Sequence, residues 1–218
     1  MHIPDGFISP STSIAGLALA IPLWWYGVKQ TKKFLNENED SVTYLSSLAA
    51  FSFLIMMINI PIPGGTSGHA VGMAVLAILL GPWTAFIAIS AVLFFQAVLF
   101  GDGGVLALGA NSLAMGFVGA FSAYYLYEFL GKKIPKSIAF FVAGYGGMVA
   151  ASIAVAIILG IQPLLFVQDG KALYFPFDLT VTFPAVVGSH VLIFGVIEGL
   201  VTVAVVNFFE RVKRGVHA

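Results

Sequence analysis

The chain opens Met1-His2-Ile3-Pro4-Asp5-Gly6-Phe7, and a free amine followed by X-His can give three nitrogens to one metal ion. The donors are the Met1 amine, the deprotonated His2 amide and His2 Nδ1. Amine and amide close a five-membered ring and amide and imidazole a six-membered one, so the three lie nearly in one plane. A fourth nitrogen completes a square-planar site, the geometry that suits Ni(II) or Cu(II) and disfavours Zn(II), Mg(II) and Ca(II). The sequence has no cysteine, so any transition-metal site rests on nitrogen and oxygen. His69 is the expected fourth donor: it starts a helix after the glycine-rich Gly64-Gly65-Thr66-Ser67-Gly68 and falls on the same side as Met1 in the topology below. An ionised amide lowers the charge of the bound dication by one, which eases holding it at membrane depth. Binding displaces protons, so acid is expected to empty the site as pH falls below the amine pKa, about 7.7 to 8.0 in reference peptides. A plainer reading makes His2 an arbitrary second residue and His69 a capping or packing histidine.

The elements that must position these donors are membrane helices. Of the 218 residues 59% are hydrophobic and 9% charged, and the mean hydropathy of +0.99 lies far from that of a soluble domain. A span needs about 20 apolar residues to cross a hydrocarbon core of roughly 30 Å, which leaves room for about six to eight helices and no separate soluble domain. Apolar runs at 11–28, 43–60, 70–81, 84–100, 105–130, 137–162 and 186–209 predict an all-α bundle of seven transmembrane helices in one integral membrane domain, 1–218. Gly81-Pro82 divides the third run from the fourth, and Pro61-Ile62-Pro63-Gly64-Gly65-Thr66-Ser67-Gly68 is expected to dip into the protein. Seven spans put Lys29, Lys32, Lys33, Lys132, Lys133, Lys136, Arg211, Lys213 and Arg214 on one side, with Lys171 alone opposite. That asymmetry places the N-terminus outside and the C-terminus inside. The opening residues lack the basic region of a secretory signal, and His2 is too bulky to favour removal of the initiator, so Met1 is expected to remain. The zero net charge and the scattered basic residues give no footprint for nucleic acid.

Polar residues inside apolar runs are functional candidates by default. Ser67, Gln96, Asp102 and Asn111 are expected to orient the metal ligands, with Gln96 and Asn111 flanking the turn Phe100-Gly101-Asp102-Gly103-Gly104. Asn59 and His190 read as hydrogen-bonding glue between helices. Glu198, near mid-span with no cation in its helix, is protonated, paired or proton-conducting. Glu128 and Glu210 are expected to reach water or a nearby lysine, and His217 to be a solvated tail residue. Small residues such as Gly16, Ala20, Ala110, Ala114 and Gly144-Tyr145-Gly146-Gly147 predict close helix contacts.

Three segments together carry a resemblance: Met1 to Phe7, Gly65-Thr66-Ser67-Gly68-His69-Ala70-Val71-Gly72, and Phe95-Gln96-Ala97-Val98-Leu99-Phe100-Gly101-Asp102-Gly103-Gly104 running on to Asn111. They resemble the CbiM/NikM family, the substrate-specific membrane subunits of energy-coupling-factor transporters for cobalt and nickel. The resemblance implies a seven-helix subunit of a prokaryotic cell membrane whose N-terminus folds inward, holding Ni(II) or Co(II) with Met1, His2 and His69. It also implies a transmembrane coupling subunit, cytoplasmic ATPases and, in some members, a small accessory membrane subunit. The chain has no GxxxxGK[ST] phosphate loop, so ATP hydrolysis is expected in partners. A self-sufficient secondary carrier or channel, proton-coupled through Glu198 or His190, is the second reading. A metalloenzyme ranks third, because no HExxH or other hydrolytic constellation is present.

Overall fold

A computed structural model describes residues 1–37, 40–62 and 66–216. Pro63-Gly64-Gly65 of the breaker stretch and His217 lie outside the described residues, as do the side chains of Thr66, Lys213 and Arg214. Helix α1, Pro10–Glu37, starts where Ser9 Oγ accepts a hydrogen bond from the Thr12 amide at 3.1 Å, with Pro10 in the first turn, where its missing N–H costs nothing. Then come α2, Ser41–Met56, and a short antiparallel hairpin, β1 Ile60–Ile62 and β2 Thr66–Gly68, in which Ile60 faces Gly68. Helix α3, Met73–Leu80, lies between Gly72 and Gly81, and α4, Pro82–Phe100, ends at Gly101 in the left-handed conformation. Helix α5 is Leu108–Leu130, with a wider π-helical stretch at Ser112–Gly119. Helix α6 is Lys136–Gly160. Helix α7 is continuous from Leu179–Ser189 through π-helical His190–Phe194 to Gly195–Val216.

Among the described residues five helices are long and apolar enough to cross a membrane: Pro10–Glu37, Pro82–Phe100, Leu108–Leu130, Lys136–Leu165 and Leu179–Val212. At about 1.5 Å per residue, the 16 residues of α2 reach about 24 Å and the 8 of α3 about 12 Å. The helix in the run expected to span at 70–81 is therefore too short to cross by itself. Residues 70–72 are drawn into a turn, and Met73, Ala74, Val75, Leu76, Ala77 and Leu80 are buried within the protein. The run expected from 186 instead begins at Leu179, where Asp178 Oδ1 accepts from the Thr180 amide at 2.9 Å, and it runs through Pro184. The connection before it holds a second hairpin, β3 Val167–Gln168 and β4 Lys171–Ala172.

Large side chains face outward, among them Ile14, Trp25, Leu54, Leu99 and Leu192, each more than 60% exposed. This suits lipid as the surrounding solvent. The interior is fitted by small residues, as expected. A Cβ on Gly16 would stand 3.0 Å from the Ala110 nitrogen, and one on Gly147 would stand 2.8 Å from the Ala123 Cβ and the Gly119 carbonyl. Glu210 accepts a hydrogen bond from Lys136 Nζ at 3.0 Å, in line with its expected lysine partner.

Candidate metal centre

One end of this helical body gathers the N-terminus, the β1–β2 hairpin, the α4–α5 turn and the start of α7. Residues 1–9 carry no regular structure, so each peptide group needs a partner from elsewhere. Asn111 supplies two: its Oδ1 accepts from the Ile3 amide at 2.9 Å and its Nδ2 donates to the Ile3 carbonyl at 3.0 Å. Asp5 caps the entry to α5, accepting from the amides of Val105 at 3.0 Å, Leu106 at 2.9 Å and Ala107 at 3.2 Å. Gly104 makes that approach possible, because a Cβ there would overlap Asp5. Farther along, the Ser9 amide donates to Gln162 Oε1 at 3.0 Å, and Phe7 stacks at a tilt on Phe175 with ring centroids 5.5 Å apart. Met1, His2 and Ile3 are consequently buried.

The Met1 amine donates to Ser67 Oγ at 3.3 Å, and burial pushes its pKa down to about 4 against an opposing pull from Asp102. The amine is thus neutral near pH 7, with its lone pair free to donate. Burial also lowers the His2 pKa, against a hydrogen bond with Asp102. His2 Nδ1 and Asp102 Oδ1 are 3.0 Å apart, so the neutral imidazole donates to the carboxylate. The nitrogen expected to face a metal here faces Asp102. Burial acts to raise the Asp102 pKa, but the hydrogen bond with His2, the nearby N-terminus and a hydrogen bond from Asn59 outweigh it and leave the carboxyl below its usual range.

His69 is buried and its ring lies 4.6 Å from that of His2, with the planes 26° apart. Its Nδ1 is 3.0 Å from the Ala70 carbonyl. A carbonyl can only accept, so Nδ1 carries the proton and Nε2 the lone pair. Nε2 is buried and meets no hydrogen-bond partner among the described residues. Burial, reinforced by the nearby N-terminus and His2, holds the His69 pKa well below the ordinary value, so the donor form prevails. No three histidine, aspartate or glutamate side chains cluster to hold a metal among the described residues.

All seven predicted site residues meet at this end, although Asn111 plays another part than expected. Asn111 holds the Ile3 peptide rather than a ligand side chain. Gln96 lies against His2 and donates through Nε2 to the Phe53 carbonyl at 3.3 Å. Ser67 meets the amine. Asn59, expected between helices, sits past the end of α2 and donates to Asp102 Oδ1 at 3.1 Å. His190 bonds within its own helix, Nδ1 to the Val186 carbonyl at 2.7 Å. Sequence reasoning missed Asp5 and Gln162, although Asp5-Gly6 opposite Gly103-Gly104 marks two turns in need of partners.

A family model described as the cobalt uptake substrate-specific transmembrane region matches residues 2–216. The chain belongs to this CbiM family. A family relative in Rhodobacter capsulatus, a fused nickel transport protein, is 42% identical over 217 residues, covering 97% of this chain and 62% of that protein. Another, from Methanocaldococcus jannaschii and named for metal transport, is 42% identical over 214 residues, covering 98% of this chain and 93% of its own. The CbiM-family fold is also seen in a crystal structure of a transition metal transporter, 42% identical, with a TM-score of 0.93 over 98% of this chain and 94% of that one.

Proposed function

We propose that this chain is the ion-capturing membrane subunit of an ATP-driven nickel or cobalt importer. It binds Ni(II) or Co(II) from outside with the Met1 amine, the His2 amide and Nδ1, and His69 Nε2. The observation that carries this reading is His69 Nε2: a buried lone pair with no partner among the described residues, against His2 and near a neutralised amine. Two imidazoles on adjacent corners of a square plane, each nitrogen about 2 Å from the ion, have ring centroids about 4.5 Å apart, close to the 4.6 Å found. Because His2 is neutral, loading needs its proton to pass from Nδ1 to Nε2, not a further ionisation. The amide supplies the negative charge.

The nine-to-one division of basic residues supports seven membrane segments with this end outside and the lysine-bearing end in the cytoplasm. In that topology α3 and the hairpin before it form the inward-dipping segment that delivers His69. In this reading ATP is hydrolysed by cytoplasmic partner subunits acting through a transmembrane coupling subunit, and the fused nickel relative supports association with a further transporter component. Calorimetry with Ni(II) on protein starting at Met1, and on protein with two residues added before it, tests the site. Extension should cost at least about 100-fold in affinity, on the order of 3 kcal/mol, and equal affinity would remove the amine from the coordination. Liposomes holding the chain alone should show no sustained nickel uptake with or without a proton gradient. Robust uptake there would instead favour a secondary carrier.

A further inference from the structure

The segment that carries His69 is gripped on both sides by α7. Before it, Gly68 lies flat against Phe194, and a Cβ on Gly68 would overlap that ring. After it, Glu198, one turn beyond Phe194, reaches the amides of Val71 at 2.8 Å and Gly72 at 3.0 Å with its Oε2. Gly72 is left-handed at φ 73°, and it is the residue from which α3 starts. Glu198 therefore closes the N-terminus of α3, where unpaired N–H groups and the helix dipole both favour a carboxylate. The side chain is fully buried, and 127 residues separate it from Val71. Asp5 does the same for the entry to α5, but at a half-exposed surface; Glu198 does it in the interior, where an unmet amide is costly.

We infer that Glu198 is the positioning residue for the fourth metal donor: it fixes the turn Ala70-Val71-Gly72 so that His69 Nε2 faces the N-terminal chelate. The Ala70 carbonyl that sets the His69 tautomer belongs to the peptide whose N–H, at Val71, Glu198 holds. Moving the carboxylate thus moves the group that orients the imidazole.

The inference rests on His69 being a ligand, and its test separates the two. Three variants are compared with the native protein for Ni(II) affinity by calorimetry and for the visible absorption of square-planar Ni(II): Glu198→Gln, Glu198→Asp and Glu198→Ala. The N-terminally extended chain serves as the site control. Gln keeps an acceptor oxygen at the same reach and should stay within about 3-fold of native with an unchanged spectrum. Asp withdraws the carboxylate by one methylene and Ala deletes it, so both should lose about 10- to 100-fold, as changes behind a ligand do, with an altered band. Asp keeps the charge and nearly the volume, so it decides the matter if Ala does not fold. Native affinity and spectrum in Asp, with the extension still harmful, would overturn the role of Glu198 and leave the site standing. A loss in Gln as deep as in Asp would also overturn it, because positioning by accepted hydrogen bonds predicts rescue. A harmless extension would overturn the site itself.

Discussion

At the end that holds Met1, polar side chains finish on peptide groups. Asn111 clasps both sides of the Ile3 peptide, Asp5 takes three amides in succession, and Glu198 takes two. At the opposite end charge meets charge across water: Lys136 and Glu210 pair at 3.0 Å with the lysine 60% exposed, and Lys133 lies over the Phe129 ring at 3.5 Å. The difference is one of reach. A bond to a peptide group fixes the chain itself, and hence the next residue's side chain, whereas a pair of long exposed side chains fixes neither backbone. The first kind of end can hold a ligand set; the second suits a surface read by its charge.

The contrast breaks most visibly at His69. Replacing it with alanine removes the only proposed donor not carried by the N-terminal dipeptide, and it should cost about 100-fold or more in nickel affinity, near 3 kcal/mol. Calorimetry measures it, and the square-planar absorption should go with it. A variant that binds as tightly as native would leave His69 as a packing residue.

Asn111→Leu sharpens the comparison without touching a ligand. It leaves a buried Ile3 peptide unpaired on both sides, at about 2 kcal/mol, so affinity should fall about 30-fold through the N-terminus spending less time docked. Proteolytic clipping of residues 1–9 should quicken in step. Weaker binding without faster clipping would mean that Asn111 acts on the metal and not on the chain.

These two residues also show what the sequence made legible. The chelate is local, with amine, amide and imidazole belonging to consecutive residues, so residue order alone exposes it. Apolar runs likewise place α4 and α6 closely, because lipid imposes one length on every span. Asn111 and Ile3 are 108 positions apart and Glu198 and Val71 are 127 apart. No periodicity reports such pairings; the sequence shows only that a polar group in an apolar run needs some partner. Helix α3 is shorter than its apolar run for a related reason: residues 70–72 before it are held by Glu198. The start of α7 was hidden by Pro184, which helices surrounded by protein and lipid tolerate.

The neutral amine gives a finer test. Docking takes an amine of pKa near 8 and holds it near 4, so the proton leaves when the N-terminus docks, before the metal arrives. The folded pKa is the lower one, so protons oppose docking more and more as pH falls from 8 towards 4. While docking holds, nickel binding at pH 7 should release about one proton, from the His2 amide, where a free X-His peptide with a charged amine releases about two. Calorimetry in buffers of different ionisation enthalpy counts them. About two protons at pH 7 would mean an N-terminus that waits undocked.

The smallest effect belongs to the far end. Lys136→Ala removes a pair whose lysine is largely in water, and such pairs contribute under about 1 kcal/mol. Lys136 begins α6 and Glu210 lies near the end of α7, so the bond joins two helices at the face opposite the site. If exposed pairs leave backbone free, nickel affinity should stay within about 2-fold of native, even though α7 carries the residue that sets the His69 turn. In the proposed importer the lysines of that face would still matter, as charge offered to cytoplasmic partners, and ATP-driven uptake by that assembly is where their loss would appear. A change in affinity in the isolated chain would show that the two ends are mechanically joined at rest, with α7 passing strain to Glu198 before any partner binds.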